Sequence, residues 1–356
     1  MESSNDGSVG SSFCMLELGF YGDHFKYFFI TNGKRFLVEI KASDLAGPGG
    51  ILEEFRRFTT DLDDPDLFNQ FEEWVIGSLH DYLISVAPAP RSRARQPITL
   101  LAYFTPQTYA LKLKNKAGKL HVAQYTYEPS IHGDPSPRAK VVNGIHDAKT
   151  SPNIHGCILR SMLADLPRFL ASEIEGVDDN LRDQDMSDMP RKVRRIGTSK
   201  NLFFKGAFKG HGYLREIQML SRIEHALEAT ILTSRLAGVV MWDDDKDGSL
   251  MGLLIEYIEG QTLYEYLYEE KCKGRNISQS IKLKWAAQIE SSLRHLHAHN
   301  IVWGDVKPEN VMINSNNDAV IIDFGGGYTP AFVPRELRET VQGDLLGFDR
   351  LKTKWD

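Results

Sequence analysis

Apolar residues fall into two periodic patterns along the chain. Phe25–Thr31 and Arg35–Lys41 are rich in aromatic and β-branched residues and flank Asn32-Gly33, a pair suited to the positive φ angles of a tight turn, which predicts a β-hairpin. After the breaker cluster Ala46–Gly50, Asp64-Pro65 opens a helix to about Val86, with Phe68, Phe71, Val75, Leu79 and Leu83 recurring at helical spacing as a core face. The Pro- and Arg-rich stretch Ala87–Pro97 reads as a loop. Strands are predicted over Thr99–Phe104, Tyr109–Lys114 and Lys119–Tyr125, the last two joined by a turn at Lys116-Ala117-Gly118. This gives an α+β domain over residues 13–127. Residues 128–171 read as a polar linker, without period as far as Asn153, and a connecting helix over Cys157–Ala171. A further polar stretch runs from Asp178 to Met189, and no internal repeat is present.

The second half is patterned more clearly. A strand at Leu202–Lys205 precedes a helix over Tyr213–Glu224 with Ile217, Leu220 and Ile223 facing inward. Strands at Leu236–Trp242 and Leu250–Ile258 are joined by the polar turn Asp243–Gly248. Glu259-Gly260-Gln261 breaks the pattern, and Thr262 caps a helix containing Leu263 and Leu267. Ile281, Trp285, Ile289, Leu293 and Leu296 share one face of a buried helix that ends near Asn300.

Composition narrows the class. The 356 residues are 42% hydrophobic and 25% charged, enough for two domains of ordinary size, and the net charge of −6 makes no whole-chain case for nucleic acid or an anionic membrane. Cys14, Cys157 and Cys272 are odd in number and share no close spacing, which argues against a disulfide framework or structural zinc. The opening residues lack a basic segment followed by an apolar run, and Leu250–Ile258 is too short to span a bilayer, so a soluble intracellular protein is expected, cytoplasmic or nuclear. Arg91, Arg93 and Arg95 fit a solvated loop; His24, His80, His121, His132, His146 and His155 show no metal-ligand spacing.

Chemistry concentrates in Ile301–Ile313 and Val320–Gly325. The first holds Asp305, Lys307 and Asn310 in a loop before a short strand; the second delivers Asp323 at the end of the strand Ala319–Ile322. Phosphoryl transfer needs this assortment: a carboxylate to orient or deprotonate a hydroxyl, a cation beside the moving group, and hard oxygen ligands for Mg²⁺.

At these residues the sequence resembles the protein-kinase superfamily, whose catalytic loop reads His-Arg-Asp-x-Lys-x-x-Asn and whose metal loop reads Asp-Phe-Gly. Asp305-Val306-Lys307-Pro308-Glu309-Asn310 looks like the serine/threonine branch, with Asp323-Phe324-Gly325 behind it. The resemblance implies Asp305 as catalytic base, Lys307 neutralising the transferred group, and Asn310 with Asp323 as Mg²⁺ ligands. It further implies that Lys205 holds the α/β-phosphates of ATP and pairs with Glu216, Glu224 being the other candidate on the same helix. Ile255 would gate the adenine pocket, backbone groups of Glu256, Tyr257 and Ile258 would meet the purine, and Met312 would floor it.

Departures accompany the match. No Gly-x-Gly-x-x-Gly precedes Lys205; Gly197 alone could turn a shortened hairpin there. Trp303-Gly304 stands where His-Arg is usual, and 31 residues follow Gly325, too few for an Ala-Pro-Glu element and late helices. This ending resembles the small fungal protein-kinase-like proteins and, more distantly, aminoglycoside-phosphotransferase-type kinases, a resemblance under which Asp344 would begin a short helix and brace the catalytic loop from beneath. Gly304 also removes the arginine that gathers an activation-loop phosphate in many kinases. Activity is therefore expected without phosphorylation of Tyr328, Thr329 or Thr340, Arg335 and Arg338 being possible replacements for that cation.

The expected architecture is α+β: a two-lobed protein-kinase-like fold over 172–356, with a small lobe at about 190–258 and an abbreviated C-lobe at about 259–356, behind a separate amino-terminal domain. The expected function is ATP- and Mg²⁺-dependent phosphotransfer to a hydroxyl, a protein Ser or Thr before a small molecule. A pseudokinase scaffold is the alternative.

Overall fold

The computed structural model describes residues 13–61, 64–88, 97–143, 157–177, 190–208, 212–226, 228, 230–244 and 248–355. The basic cluster at Arg91–Arg95, His146, His155 and the polar stretch 178–189 lie outside the described residues. The chain divides into two compact units, residues 1–136 with 178–190 and residues 137–177 with 191–356.

The first unit is built on a five-stranded sheet in the order β1 (Cys14–Tyr21), β2 (His24–Thr31), β3 (Lys34–Lys41), β4 (Thr108–Lys116) and β5 (Lys119–Tyr125). The hairpin at Asn32-Gly33 forms as its sequence predicts, with φ of 48° and 73° and Thr31 opposite Lys34. Side-chain alternation sends Tyr27, Phe29, Phe36 and Val38 to one face and Phe28 and Leu37 to the other. Helix α1 (Ile51–Phe58) and the long helix α2 (Pro65–Val86) cover the first face, α2 through Phe71, Val75, Leu79 and Leu83. Asp64 caps α2 by accepting the amides of Asp66 and Leu67.

In this unit one element was not foreseen and one expectation fails. Strand β1 lies in a stretch to which the pattern assigned no element. Thr99–Phe104, read as a strand, is a helical turn over Leu100–Phe104, capped by the Thr99 hydroxyl accepting from the Ala102 amide. An apolar run this short carries no period to separate the two states, and the cap decides it. Because β3 and β4 run parallel, the chain between them must cross over, and helices provide that crossing.

The second unit contains an eight-stranded sheet and a small three-stranded one. In the large sheet the path is β7 (Cys157–Leu159), β6 (Ala139–Val142), β13 (Ser249–Glu256), β11 (Asn201–Gly206), β10 (Lys192–Arg195) and β9 (Ile174–Gly176). Strand β12 (Leu236–Met241) also pairs with β13, and β8 (Arg168–Leu170) runs parallel to β12. The connecting helix expected over Cys157–Ala171 is therefore absent: that stretch is β7, a 3₁₀ turn at Arg160–Leu163, and β8. Pro167 is the physical reason, since the residue before a proline is driven out of the helical region.

Helices α3 (Tyr213–Ala226), α4 (Leu263–Cys272), α5 (Gln279–Ala298) and α6 (Val341–Lys352) complete this unit. Helix α4 begins with the reciprocal cap of Thr262 and Glu265. Helix α5 buries Trp285, Ile289, Leu293 and Leu296, and the chain leaves it with Asn300 in the left-handed region at φ 53°. The small sheet is β14 (Gly260–Thr262), β15 (Val311–Asn314) and β16 (Ala319–Ile321), all antiparallel.

Candidate active site

The β15–β16 hairpin sets the site. Its register pairs Val311 with Ile321, so the residue just before β15, Asn310, meets the residue just after β16, and the Ile322 amide donates to the Asn310 carbonyl at 3.0 Å. One ladder thus brings the loop carrying Asp305, Lys307 and Asn310 against the loop carrying Asp323. Trp303 adds a second tie, its indole N–H donating to the Ile322 carbonyl at 2.8 Å.

Asp305 is buried, and both of its carboxylate oxygens are occupied. Oδ2 lies 2.7 Å from the Lys307 ammonium and accepts from the Asn310 amide at 3.1 Å. Oδ1 accepts from the Thr329 hydroxyl at 3.0 Å. Asn310 also donates to the Asp305 carbonyl at 2.9 Å, closing the loop on itself.

Asp323 sits at φ 59°, a left-handed conformation that aspartate tolerates better than most residues. Its Oδ1 accepts from the Gly325 amide at 3.1 Å and from Lys205 at 2.9 Å. Lys205, from β11, also reaches Glu216 of α3 at 2.7 Å. Glu224, the other candidate partner, lies instead 3.9 Å from Arg235. Burial works against the Lys205 charge, but Glu216 and Asp323 outweigh it and raise its pKa. Burial likewise pushes Asp323 up, and the Lys205 ammonium with the Gly325 N–H overcomes this to hold it below the usual carboxylate range. For Glu216, only 1% exposed, burial dominates despite Lys205 and its pKa rises.

Beneath the loop, Asp344 of α6 accepts the amides of Trp303 and Gly304 at 2.9 and 2.8 Å and meets His297 Nε2 at 2.9 Å. A carboxylate that is 1% exposed thereby satisfies two buried backbone donors.

The other sequence candidates line the neighbouring strands. Ile255 is buried in β13 opposite Phe203. The Glu256 amide already donates to the Arg235 carbonyl at 2.9 Å, and its carboxylate meets Lys200 at 2.6 Å, so among its backbone groups the expected amide donor to a purine is engaged within the sheet. Tyr257 lies under the Lys192 ammonium, 4.5 Å from ring centre to nitrogen. Ile258 follows β13 half-buried, and Met312 is half-buried in β15. The hairpin ahead of Lys205 joins β10 to β11 across residues 196–200 and turns at Gly197, φ 79°.

Two contacts escaped the sequence reading. Thr329 appeared there only as a phosphate acceptor, whereas its hydroxyl binds Asp305. Arg215, beside Glu216 on α3, drew no attention, yet it bonds to the carbonyls of Val302, Trp303 and Phe324. Their signal was indirect: Gly304 left a vacancy that some other cation had to fill.

Among the described residues no group of three or more His, Cys, Asp or Glu is arranged to hold a metal, and no helix is long and apolar enough to cross a membrane.

Comparison with known proteins finds similarity over this part of the chain. Residues 192–330 match the family model described as protein kinase domain. The chain is 39% identical over 85 residues to the "Probable cAMP-dependent protein kinase catalytic subunit" of Encephalitozoon cuniculi, covering 24% of this chain and 25% of that protein. It is 35% identical over 116 residues to cAMP-dependent protein kinase catalytic subunit 3 of Drosophila melanogaster, 32% of this chain and 19% of the other. With Aurora kinase B of the same fly it shares 28% identity over 132 residues, 37% and 36% of the two chains. The chain thus spans between about a fifth and a third of the length of these relatives.

Proposed function

We propose that the segment beginning near Lys192 is an ATP-dependent phosphotransferase of the protein-kinase type with a two-lobed fold, acting on a hydroxyl and on protein Ser or Thr in preference to small molecules. The observation that carries this reading is Lys205 bridging Glu216 and Asp323 at 2.7 and 2.9 Å, beside an Asp305–Lys307–Asn310 cluster. The match of residues 192–330 to the protein kinase domain, and similarity to proteins named as serine/threonine-protein kinases, support it.

The donor set fits Mg²⁺. Oδ1 of Asp323 carries both of its bonds, which leaves Oδ2 for a cation, and the Asn310 amide nitrogen points at Asp305, which leaves its oxygen. Two protein oxygens suit an ion whose remaining ligands are water and phosphate. When bound there, Mg²⁺ neutralises triphosphate charge.

This chain's own residues then divide the work. Lys205, held by Glu216, presents a charged ammonium to the nucleotide phosphates. Asp305, fixed through Oδ2 by Asn310 and Lys307, offers Oδ1 to the acceptor hydroxyl, the position the Thr329 hydroxyl takes in the structure. The acceptor oxygen bonds to the γ-phosphorus, the bond from that phosphorus to the β–γ bridging oxygen breaks, ADP leaves, and the hydroxyl proton passes to Asp305. Lys307, 2.7 Å from Asp305, offsets charge on the transferred group. The catalysis is chiefly positioning and charge stabilisation.

A nucleotide-binding scaffold without transfer is the second reading, favoured by the short β10–β11 turn with its single glycine, Gly197. Incubation with γ-labelled ATP, Mg²⁺ and a mixture of proteins and small alcohols separates the two. Transfer is expected, and Asp305→Asn should lower it at least about a hundredfold while ATP affinity changes little. Equal transfer by parent and variant would remove Asp305 from the chemistry, and none by the parent would leave the scaffold.

A further inference from the structure

The loop before Asp305 is gripped from two sides by opposite charges. Asp344 takes the amide protons of Trp303 and Gly304. From the other side Arg215 donates through one terminal nitrogen to the Trp303 and Phe324 carbonyls at 3.2 and 2.5 Å, and through the other to the Val302 carbonyl at 2.9 Å. Three carbonyls converging on one point form a pocket of partial negative charge, and only a planar fork of several N–H groups can serve all of them. A lysine could not span the set.

Two glycines make room for that fork. A Cβ on Gly304 would lie 2.9 Å from an Arg215 terminal nitrogen, and φ of 95° there disfavours any side chain. A Cβ on Gly326 would lie 2.7 Å from both Arg215 Cδ and a Glu339 carboxylate oxygen. Glu339 stands 3.8 Å from Arg215 Nε and directly precedes Thr340, the cap of α6. The Arg215 side chain is 20% exposed, whereas Arg335 and Arg338, the replacements suggested by sequence, are exposed.

We propose that Arg215 is the positioning residue for phosphoryl transfer in this chain: it holds the Asp305 loop and the Asp323 loop in register through backbone carbonyls, with Glu339 as a resident counter-anion in place of a phosphate. The inference rests on the phosphotransferase reading for its functional meaning but on Arg215 alone for its structural content. It explains why glycine occupies position 304. The loop-ordering cation comes from α3, next to Glu216, so the lysine partner and the loop clamp move as one helix. A phosphorylated residue after Gly325 has no role in this arrangement.

Two variants test it, Arg215→Met, which keeps the stem, and Arg215→Ala, which opens space for a small cation. In both, kcat should fall about a hundredfold, the scale of a misplaced catalytic group, with the KM for ATP within about threefold of the parent. Amide hydrogen exchange over residues 303–310 should rise in nucleotide-free protein. Millimolar methylguanidinium should restore at least about a tenth of the lost kcat to Arg215→Ala, and urea, equally planar but uncharged, should not. Phosphatase treatment should leave the parent's rate unchanged. Unaltered kcat and exchange in Arg215→Met, or silencing by phosphatase, would overturn the proposal. A parent that transfers no phosphate would defeat the phosphotransferase reading instead, and the exchange measurement would still decide whether Arg215 orders the loop. Should either variant fail to fold, Arg215→Lys decides: a charge without the fork should recover less than about a tenth of the parental rate, and full activity would sink the claim.

Discussion

The indole N–H of Trp303 donates to the carbonyl of Ile322 at 2.8 Å, so the residue two places before Asp305 is bonded to the residue immediately before Asp323. Trp303 is fully buried. Where a histidine is usual in the resembling family, a bicyclic ring here fills core volume and still supplies a donor that couples the two loops.

Trp303→Phe keeps an aromatic ring but removes that donor, leaving the Ile322 carbonyl without it. The cost should be about 1–3 kcal/mol, a fall in melting temperature of roughly 2–12 °C for a unit of this size. Scanning calorimetry reads this directly, and an unchanged transition would mean that the bond adds no net stability.

The acid limb of nucleotide binding should belong to Glu216. Its folded pKa is raised by burial, so as pH falls it takes its proton before the ordinary glutamate value near 4.3 is reached. Asp323 has a lowered folded pKa, so its stabilising contribution is present above the ordinary aspartate value of about 3.9 and is lost only as pH falls through that lower value. Lys205 is raised, so its contribution is complete below about 10.4 and fades only at higher pH. On acidification, then, Lys205 loses its Glu216 partner while Asp323 is still charged. ATP affinity should drop about tenfold as Glu216 takes its proton, the worth of one charged hydrogen bond. Glu216→Gln should bind weakly throughout and show no such limb in a titration of ATP against tryptophan fluorescence. A parent and variant with parallel pH profiles would disprove the assignment.

Metal dependence should reside in Asp323. Asp323→Ala removes both the proposed Mg²⁺ ligand and a partner of Lys205, so the stabilisation that ATP gives with Mg²⁺ over ATP with a chelator should vanish in thermal-shift titration. If the variant gained as much from Mg²⁺ as the parent, the ion would have to be held elsewhere.

Local signals made much of the fold legible. Asn32-Gly33, Asp64-Pro65 and Thr262 each specify their structure within a few residues, and the long face from Phe71 to Leu83 leaves little choice of partner. Strands of three residues, as at Cys157 and Arg168, have too few positions to show a period, and their identity comes from neighbours far along the chain. The site divides the same way. Asp305, Lys307, Asn310 and Asp323 are close in sequence and recognisable as a group. Thr329 on Asp305, Arg215 on the Phe324 carbonyl and Lys205 on Asp323 join residues separated by 24, 109 and 118 positions, and nothing local marks them.

The clasp of Asp344 on Trp303 and Gly304 closes a span of about forty residues. A ribosome adding about 5–20 residues per second needs roughly 2–8 seconds to travel from the loop to its clasp. By the end of that interval Lys205, Asp305 and Asp323 have all been made, in that order, while the two buried amides still have no acceptor from α6. The loop's shape is therefore a late event in synthesis, set by a helix that emerges after every group proposed to do the chemistry.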